Sequence, residues 1–201
     1  MKKILHISSS PKTENSSSRK LGQEIIKKII AKYPENSITE YDLTKKQFPH
    51  LSEFQISSFF LSPQERSSTN NVAVKQSDEA IADLQDADII VIEAPMYNFT
   101  ITSSLKAYFD TIARSGLTFK YTGSGFLPEG LLKNKKAYIA TASGGIYSQG
   151  ELKQYDFATS YTRFFLELIG IMVVAIFRSE GQAIIGQEKA LQNGIESIKI
   201  E

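Results

Sequence analysis

The chain has 201 residues, of which 41% are hydrophobic and 22% are charged, so it is long enough for one sizeable core and we expect a single domain over residues 1–201. Its 23 Lys and Arg residues nearly balance its 22 Asp and Glu residues, and the net charge of +1 predicts neither a nucleic-acid partner nor an acidic electron-transfer surface. With no cysteine and only two histidines, disulfides and thiol chemistry are excluded and no metal site is predicted.

The first part of the chain predicts a strand, a helix and a second strand. Residues 2–7 read as the first strand, residues 21–33 place apolar side chains on one helical stripe that Pro34 ends, and residues 38–43 predict the second strand. Together they form a βαβ unit. The basic start carries too short an apolar run for a signal peptide, and no segment is apolar enough to span a membrane, so we expect a cytoplasmic protein without membrane contact.

Residues 44–75 scatter aromatic residues among serines and two prolines, and we expect short helical pieces forming an excursion there. A helix with Ala80, Ile81 and Leu84 on its inner face is expected next. Residues 88–92 form a β-branched run typical of a strand buried on both faces, and Pro95 is expected to end its hydrogen-bond ladder because proline has no N–H.

The second half continues the alternation of helices and strands. Five strands separated by helices predict an α/β fold, a doubly wound five-stranded parallel sheet of order 2-1-3-4-5 with helices on both faces. The remaining elements are a helix near residues 103–113 capped by Thr102, Ser103 or Ser104, a strand over 136–141, a helix ended by Gly170, a strand over 171–177, and a helix over 186–200 weakened by Gly194.

In that strand order, the loops after strands 1, 3 and 4 lie side by side at one edge of the sheet. The first loop, residues 8–18, precedes a helix whose free N–H groups favour an anion, and Ser16, Ser17 and Ser18 add hydroxyl donors. Taken alone, helix capping by one serine is the simpler explanation. Neither a G-x-x-x-x-G-K nor a G-x-G-x-x-G motif occurs, which disfavours nucleoside triphosphate hydrolysis.

The second and third loops suit a planar ring. Met96, Tyr97, Asn98 and Phe99 offer a flat apolar wall and one amide, although a core role explains them equally well. The glycines at 144–145 allow close approach of the backbone to a ligand, and an ordinary turn is again the simpler explanation of these two alone. Jointly the three loops indicate a ligand with a phosphate at one end and a planar ring at the other. Flavin mononucleotide (FMN) fits, and a flavodoxin-like sheet binds it at this edge.

In its motifs the chain resembles the FMN-dependent NADH-azoreductases of the bacterial flavodoxin-like quinone reductase family. The most specific motifs are Ala-Pro-Met-Tyr-Asn-Phe at 94–99 and Leu-Lys-Ala-Tyr-Phe-Asp at 105–110, followed in order by matches at 118–122, 128–131, 144–146 and 169–171. The resemblance implies that Ser10, Ser16, Ser17 and Ser18 hold the ribityl phosphate and that residues 96–99 lie along the isoalloxazine ring. The family usually reads Ser-x-Gly-Gly where this chain has Ala142-Ser143-Gly144-Gly145, so a hydroxyl is lost at 142 and Ser143 is the candidate to replace it.

The resemblance also implies an activity and an assembly. NADH would reduce quinones to hydroquinones and azo compounds to aromatic amines by ping-pong two-electron transfer, with the flavin carrying the redox chemistry and no catalytic side chain required. A homodimer with shared active sites is implied. Candidates for its aromatic substrate pocket, for which core or dimer packing is an equally good explanation, are Phe59, Phe60, Tyr121 and Phe165.

Two other functions are alternatives to this one. A flavodoxin-type electron carrier is disfavoured by the balanced charge and by the aromatic excursion. A hydrolase similar to acyl-carrier-protein phosphodiesterase is disfavoured because the sequence offers no nucleophile with a base beside it and no metal cluster. The sequence does not determine the physiological electron acceptor or the choice between NADH and NADPH.

Overall fold

The computed structural model describes residues 1–123 and 127–201. Within these ranges, no helix combines the length and the apolarity that crossing a bilayer requires. In chain order the elements are β1 (Lys2–Ser8), α1 (Ser17–Lys32), β2 (Asn36–Asp42), α2 (Glu53–Phe59), α3 (Ser68–Asp86), β3 (Ile89–Glu93), α4 (Ser103–Ile112), β4 (Phe119–Lys120), β5 (Glu129–Gly130), β6 (Lys136–Ala142), α5 (Phe157–Leu168), β7 (Met172–Ser179), α6 (Gln182–Ile185) and α7 (Gln187–Glu196).

The main sheet is parallel and its strands lie in the order β2-β1-β3-β6-β7, which confirms the predicted order 2-1-3-4-5. The short strands β4 and β5 form a separate antiparallel pair that the sequence did not predict. Each has two residues, too few for an alternating hydrophobic pattern to be recognised.

The central strand β3 explains why helices cover both faces of the sheet. All five of its residues are buried. Ile90 and Ile92 face a core that includes residues of α3, α4 and α5, whereas Ile89 and Val91 face a second core with α1 and, at its margin, α7. A β-branched run without polar alternation is therefore needed here, because neither face of the strand meets water. The predicted helices on both faces are confirmed.

The hydrogen bonding of β3 continues past the point at which Pro95 was expected to end it. The Ala94 N–H donates to the Ala140 carbonyl at 2.8 Å, and the Met96 N–H donates to the Ala142 carbonyl at 2.9 Å. Successive N–H groups of a parallel strand point alternately to its two neighbouring strands. Ala94 and Met96 donate toward β6, so the N–H that Pro95 lacks would have pointed toward β1, and its absence breaks no hydrogen bond to β6. The prediction is wrong on that side, and Met96 is held directly beside Ala142.

The excursion at residues 44–75 is shorter than expected, because α3 begins at Ser68 and absorbs its last part. A reciprocal cap starts this helix: the Asn70 N–H donates to Ser67 Oγ at 3.2 Å and the Ser67 N–H donates to Asn70 Oδ1 at 3.0 Å. The sequence did not reveal this helix start, because its third residue is Asn70 and not the Glu or Gln that is usual in a capping box. Buried Arg114 ties the excursion to the body, since its guanidinium bonds Asp78 and lies 4.5 Å from the centre of the Phe59 ring.

Gly194 allows α7 to pack directly on β7, a function that the expectation of a weakened helix did not include. A Cβ atom at this position would lie 2.6 Å from the Arg178 carbonyl oxygen, a backbone atom that cannot swing away. Glycine at this position lowers the helix propensity of α7, but it allows the helix to lie in close contact with the sheet.

We expect Gly194→Ala to destabilise the protein by about 1–3 kcal/mol through overpacking, although the same change in an exposed helix adds up to about 1 kcal/mol of stability. Urea unfolding would measure the difference. Gln192→Ala, an exposed position of the same helix, is the matched control and should change stability by less than about 0.5 kcal/mol. A more stable Gly194→Ala protein would disprove the close contact.

Candidate functional site

Two adjoining cavities lie at the carboxyl end of the sheet, where parallel α/β sheets bind ligands. The smaller has a volume of about 270 Å³ and the larger about 960 Å³, and Tyr97 lines both. Four loops enclose the smaller cavity, after β1, β3, β6 and β7 respectively. Its lining residues are Ser10, Lys12, Asn15, Ser16, Ser17, Ser18, Pro95, Met96, Tyr97, Ala142, Ser143, Gly144, Gln182 and Gln187.

Most of the residues that the sequence singled out for a cofactor meet at this smaller cavity, but three do not. Asn98 lines the larger cavity instead. Phe99 is half exposed, and its ring packs against Tyr147 and Tyr155 at centroid distances of 6.2 and 6.4 Å. Gly145 lines neither cavity, and a Cβ atom there would lie 3.0 Å from the Tyr147 ring, a tight contact with a side chain.

The four serines that line the smaller cavity, at positions 10, 16, 17 and 18, are buried near the N-terminus of α1. Three of the four accept an N–H group of the protein. The three bonds run to Ser10 Oγ from the Lys12 backbone at 3.3 Å, to Ser16 Oγ from the Arg19 backbone at 3.3 Å, and to Ser17 Oγ from the Gln187 side chain at 3.1 Å.

This pattern prepares the serines to bind an anion. A hydroxyl has one proton, so a serine oxygen that already accepts an N–H keeps its own proton for another acceptor. Ser16 and Ser18 also share a bond of 3.1 Å between their oxygens. No Asp or Glu lines the cavity within the described ranges, and the N-terminus of α1 adds the positive end of its dipole. The arrangement suits a phosphate, which has acceptors only.

Arg19 fixes the shape of the first loop from behind. Its guanidinium donates to the Ser10 carbonyl at 2.8 Å and the Lys12 carbonyl at 3.0 Å, and it binds Asp42 through two bonds of 2.9 and 3.1 Å. Partial burial acts to raise the pKa of Asp42, but hydrogen bonds from Arg19 and Thr44 outweigh this and lower it to about 2. The pair therefore stays charged at neutral pH and holds the loop as a structural clamp.

A buried hydrogen-bonded pair supports the second loop from below. His6 Nε2 and Glu93 Oε1 lie 2.8 Å apart, and Ser9 Oγ donates to the Glu93 carbonyl at 2.8 Å. Burial raises the pKa of Glu93, and the hydrogen bond with His6 only partly offsets this. The glycine at position 22 of α1 makes room for the carboxyl group, because a Cβ there would lie 2.5 Å from Glu93 Oε1.

Ser143 of the third loop is the candidate to replace the hydroxyl that is missing at Ala142. Ser143 lines the smaller cavity, but its Oγ donates to the Gly145 carbonyl at 2.9 Å, so its proton is engaged within the loop. Toward a ligand this oxygen can only accept. At Gly144 a Cβ atom would meet only Ala183, at 3.8 Å, so packing of the protein does not require glycine there. Gly144 itself lines the smaller cavity.

The larger cavity lies between the start of the excursion and the N-terminal half of α4. Its lining combines an apolar base that includes Leu43 and Phe48 with amide and hydroxyl groups. His50 and Lys106 contribute the basic groups, and no carboxylate lines it among the described residues. A neutral or anionic aromatic compound is the class of ligand that fits such a lining.

The four aromatic candidates for a substrate pocket line neither cavity. Phe165 is a core residue, 5% exposed and stacked on Phe109 at 4.1 Å. Phe59 lies beneath Arg114. In contrast, Phe60 and Tyr121 are 78% and 73% exposed, which is unusual for rings of this size and leaves them available to a second molecule.

The sequence analysis missed the fourth loop, which brings Gln182 and Gln187 to the smaller cavity. The only local signal was the pair Gly181 and Gly186, both with positive φ, which bracket the short helix α6. The contribution of Phe48 to the larger cavity was also not predicted. Among the described residues, no group of three or more His, Asp or Glu side chains is arranged to hold a metal ion.

Known proteins resemble this chain over nearly its whole length. A family model described as the flavodoxin-like fold matches residues 2–199. An FMN-dependent NADH:quinone oxidoreductase of Herminiimonas arsenicoxydans is 45% identical over 183 residues, 91% of this chain and 89% of that protein. FMN-dependent NADH:quinone oxidoreductase 6 of Burkholderia lata is 42% identical over 181 residues, 90% of this chain and 89% of that protein.

Solved structures agree with these relatives. An azoreductase from Bacillus anthracis strain Sterne superposes with a TM-score of 0.88 at 27% identity, covering 98% of this chain and 96% of that one. An FMN-dependent NADH-azoreductase from Bacillus anthracis strain Ames Ancestor, in complex with FMN, gives a TM-score of 0.86 at 26% identity and covers 98% of this chain and 95% of that one.

The lowered pKa of Asp42 predicts a pH-dependent contribution to stability. The contribution of the clamp is present above the unfolded-state pKa of about 3.9 and is lost as the pH falls toward 2. Thermal melts should therefore show Asp42→Asn less stable than wild type at pH 7, with a gap that closes below about pH 4. Asp86→Asn, which removes an exposed pair with Lys3, is the control and should have a small effect. A gap that persists unchanged at pH 2 would refute this assignment.

Proposed function

Because the chain belongs to the flavodoxin-like family that these FMN-dependent NADH:quinone oxidoreductases represent, we propose that it is an FMN-dependent oxidoreductase that uses NADH to reduce quinones to hydroquinones and azo compounds to aromatic amines. The observation that carries the proposal is the smaller cavity, where hydroxyl donors without a carboxylate adjoin a wall of Met96 and Tyr97. The family match over residues 2–199 also supports a single domain.

The residues of the smaller cavity fit FMN. At about 270 Å³ it is smaller than ligand pockets that enclose a whole molecule, commonly ~300–1,000 Å³. We therefore assign it the ribityl phosphate, held by Ser10, Ser16, Ser17 and Ser18. The ring would extend along residues 96–99, where the open space at Gly144 admits it. FMN held there would supply two-electron redox chemistry, so that one NADH would serve for each quinone and two successive cycles with two NADH would be needed to convert an azo bond to two amines.

The larger cavity is our candidate for the place that NADH and the acceptor occupy in turn. It meets the smaller cavity at Tyr97, and Asn98 offers an amide that can both donate and accept. His50 and Lys106 favour anionic substituents such as the phosphates of NADH or acidic groups of azo compounds. Alternating use of one cavity leads to ping-pong kinetics. Protons would come from water, since Lys106 Nζ pairs with the Asp110 carboxylate at 2.6 Å and His50 is exposed to solvent.

We further propose that the protein acts as a homodimer with shared active sites. The support is the exposure of Phe60 and Tyr121, whose burial by a second copy would remove apolar area from water and could complete the substrate pocket across the interface. Phe165 cannot form part of such a pocket, because its ring is stacked on Phe109 in the core.

The central prediction is that the purified protein shows flavin absorption bands and oxidises NADH when a quinone or an azo dye is supplied. Double-reciprocal plots at several acceptor concentrations should be parallel, since donor and acceptor use the cavity alternately. A colourless protein that takes up no added FMN would refute the proposal. Intersecting plots would refute only the ping-pong sequence, and reduction of a protein partner but not of quinones would favour an electron carrier.

Asn98 offers a test of the second loop. Its φ is +49°, which glycine adopts readily, so Asn98→Gly removes the amide without straining the backbone. We expect a roughly five- to tenfold loss in FMN affinity or in kcat/KM for NADH, equivalent to one hydrogen bond. Asn134→Gly, also at positive φ but outside both cavities, is the control and should behave as wild type. Unaltered flavin affinity and turnover in Asn98→Gly would show that residue 98 serves only the turn.

A further inference from the structure

Gln187 connects the fourth loop to the phosphate end of the smaller cavity. It is the first residue of α7 and follows Gly186, whose φ is +87°. Its side-chain Nε2 donates to the Asn15 carbonyl at 3.1 Å and to Ser17 Oγ at 3.1 Å. A primary amide nitrogen carries two protons, so these two bonds use both of them.

Donation by Gln187 determines what the Ser17 hydroxyl can do. Ser17 is 4% exposed and lines the cavity. Because its oxygen accepts the amide proton, its own proton cannot serve that bond and is free for another acceptor. In the part of the chain that the structure describes, Ser17 Oγ has no other hydrogen bond than this one. A ligand in the cavity is the acceptor that the arrangement leaves for this proton.

We propose that Gln187 makes the site selective for the phosphorylated flavin, as a positioning residue that acts through Ser17. The inference rests on the proposed function, and it follows from the different chemistry of the two flavins. The phosphate of FMN has acceptors that need donated protons, so its binding depends on the direction of the Ser17 proton. Riboflavin ends in a hydroxyl that both donates and accepts, so it binds equally well to a serine oxygen turned either way.

The test compares FMN and riboflavin binding to flavin-free protein by fluorescence titration. Gln187→Ala should weaken FMN binding about five- to tenfold and riboflavin binding less than about twofold. Gln187→Glu should weaken FMN binding further, because a carboxylate takes the Ser17 proton for itself and repels the phosphate. Gln192→Ala, an exposed glutamine in the same helix, should leave both affinities unchanged. Circular dichroism would verify that each variant is folded.

A double-mutant cycle tests whether the effect passes through Ser17. In a Ser17→Ala background, Gln187→Ala should cause no further loss of FMN affinity, because there is no hydroxyl left to orient. Additive losses would overturn this route. An equal loss of both flavins, or no loss of either, in Gln187→Ala would overturn the selectivity. Wild-type protein that fails to bind FMN would instead refute the proposed function, so the two failures are distinguishable.

Discussion

The burial of β3 between β1 and β6 is the constraint on which the rest of the structure depends. Every side chain of Ile89–Glu93 is covered, so the strand has one register in which both cores are filled. Hydrogen bonds from Ala94 and Met96 extend that register into the following loop. The loop therefore leaves the sheet in a fixed direction beside Ala142, and the two cavities form on either side of it.

Lys12 is the one charged residue among the described residues that line the smaller cavity, and two hydrogen-bonded pairs lie behind the cavity. Arg19 and Asp42 neutralise each other while holding the first loop, and Glu93 is paired with His6 beneath the second loop. The cavity itself presents hydroxyls and N–H groups. Such a site binds an anion mainly through neutral donors and a helix dipole, with Lys12 as the single cationic group in the lining.

The excursion and the fourth loop, which lie outside the central strands, supply part of the lining of both cavities. The excursion contributes Phe48 and His50 to the larger cavity, and its Phe59 packs against Arg114 of the body. The fourth loop closes the smaller cavity with Gln182 and Gln187. A fold shared by many proteins is thus adapted by segments outside its central strands, as expected when function resides in loops.

The sequence by itself determined the strand order and the three loops after β1, β3 and β6, because hydrophobic periodicity and parallel topology leave few alternatives. It also singled out the serines, Met96 and Tyr97 as cofactor candidates, through the chemistry of those loops and through the resemblance to a known family. Only the tertiary structure decided that Asn98 turns to the larger cavity, that Phe165 belongs to the core and that Gln187 reaches Ser17. These facts depend on contacts between residues distant in the chain and on the backbone direction of single turns, neither of which leaves a periodic trace in the sequence.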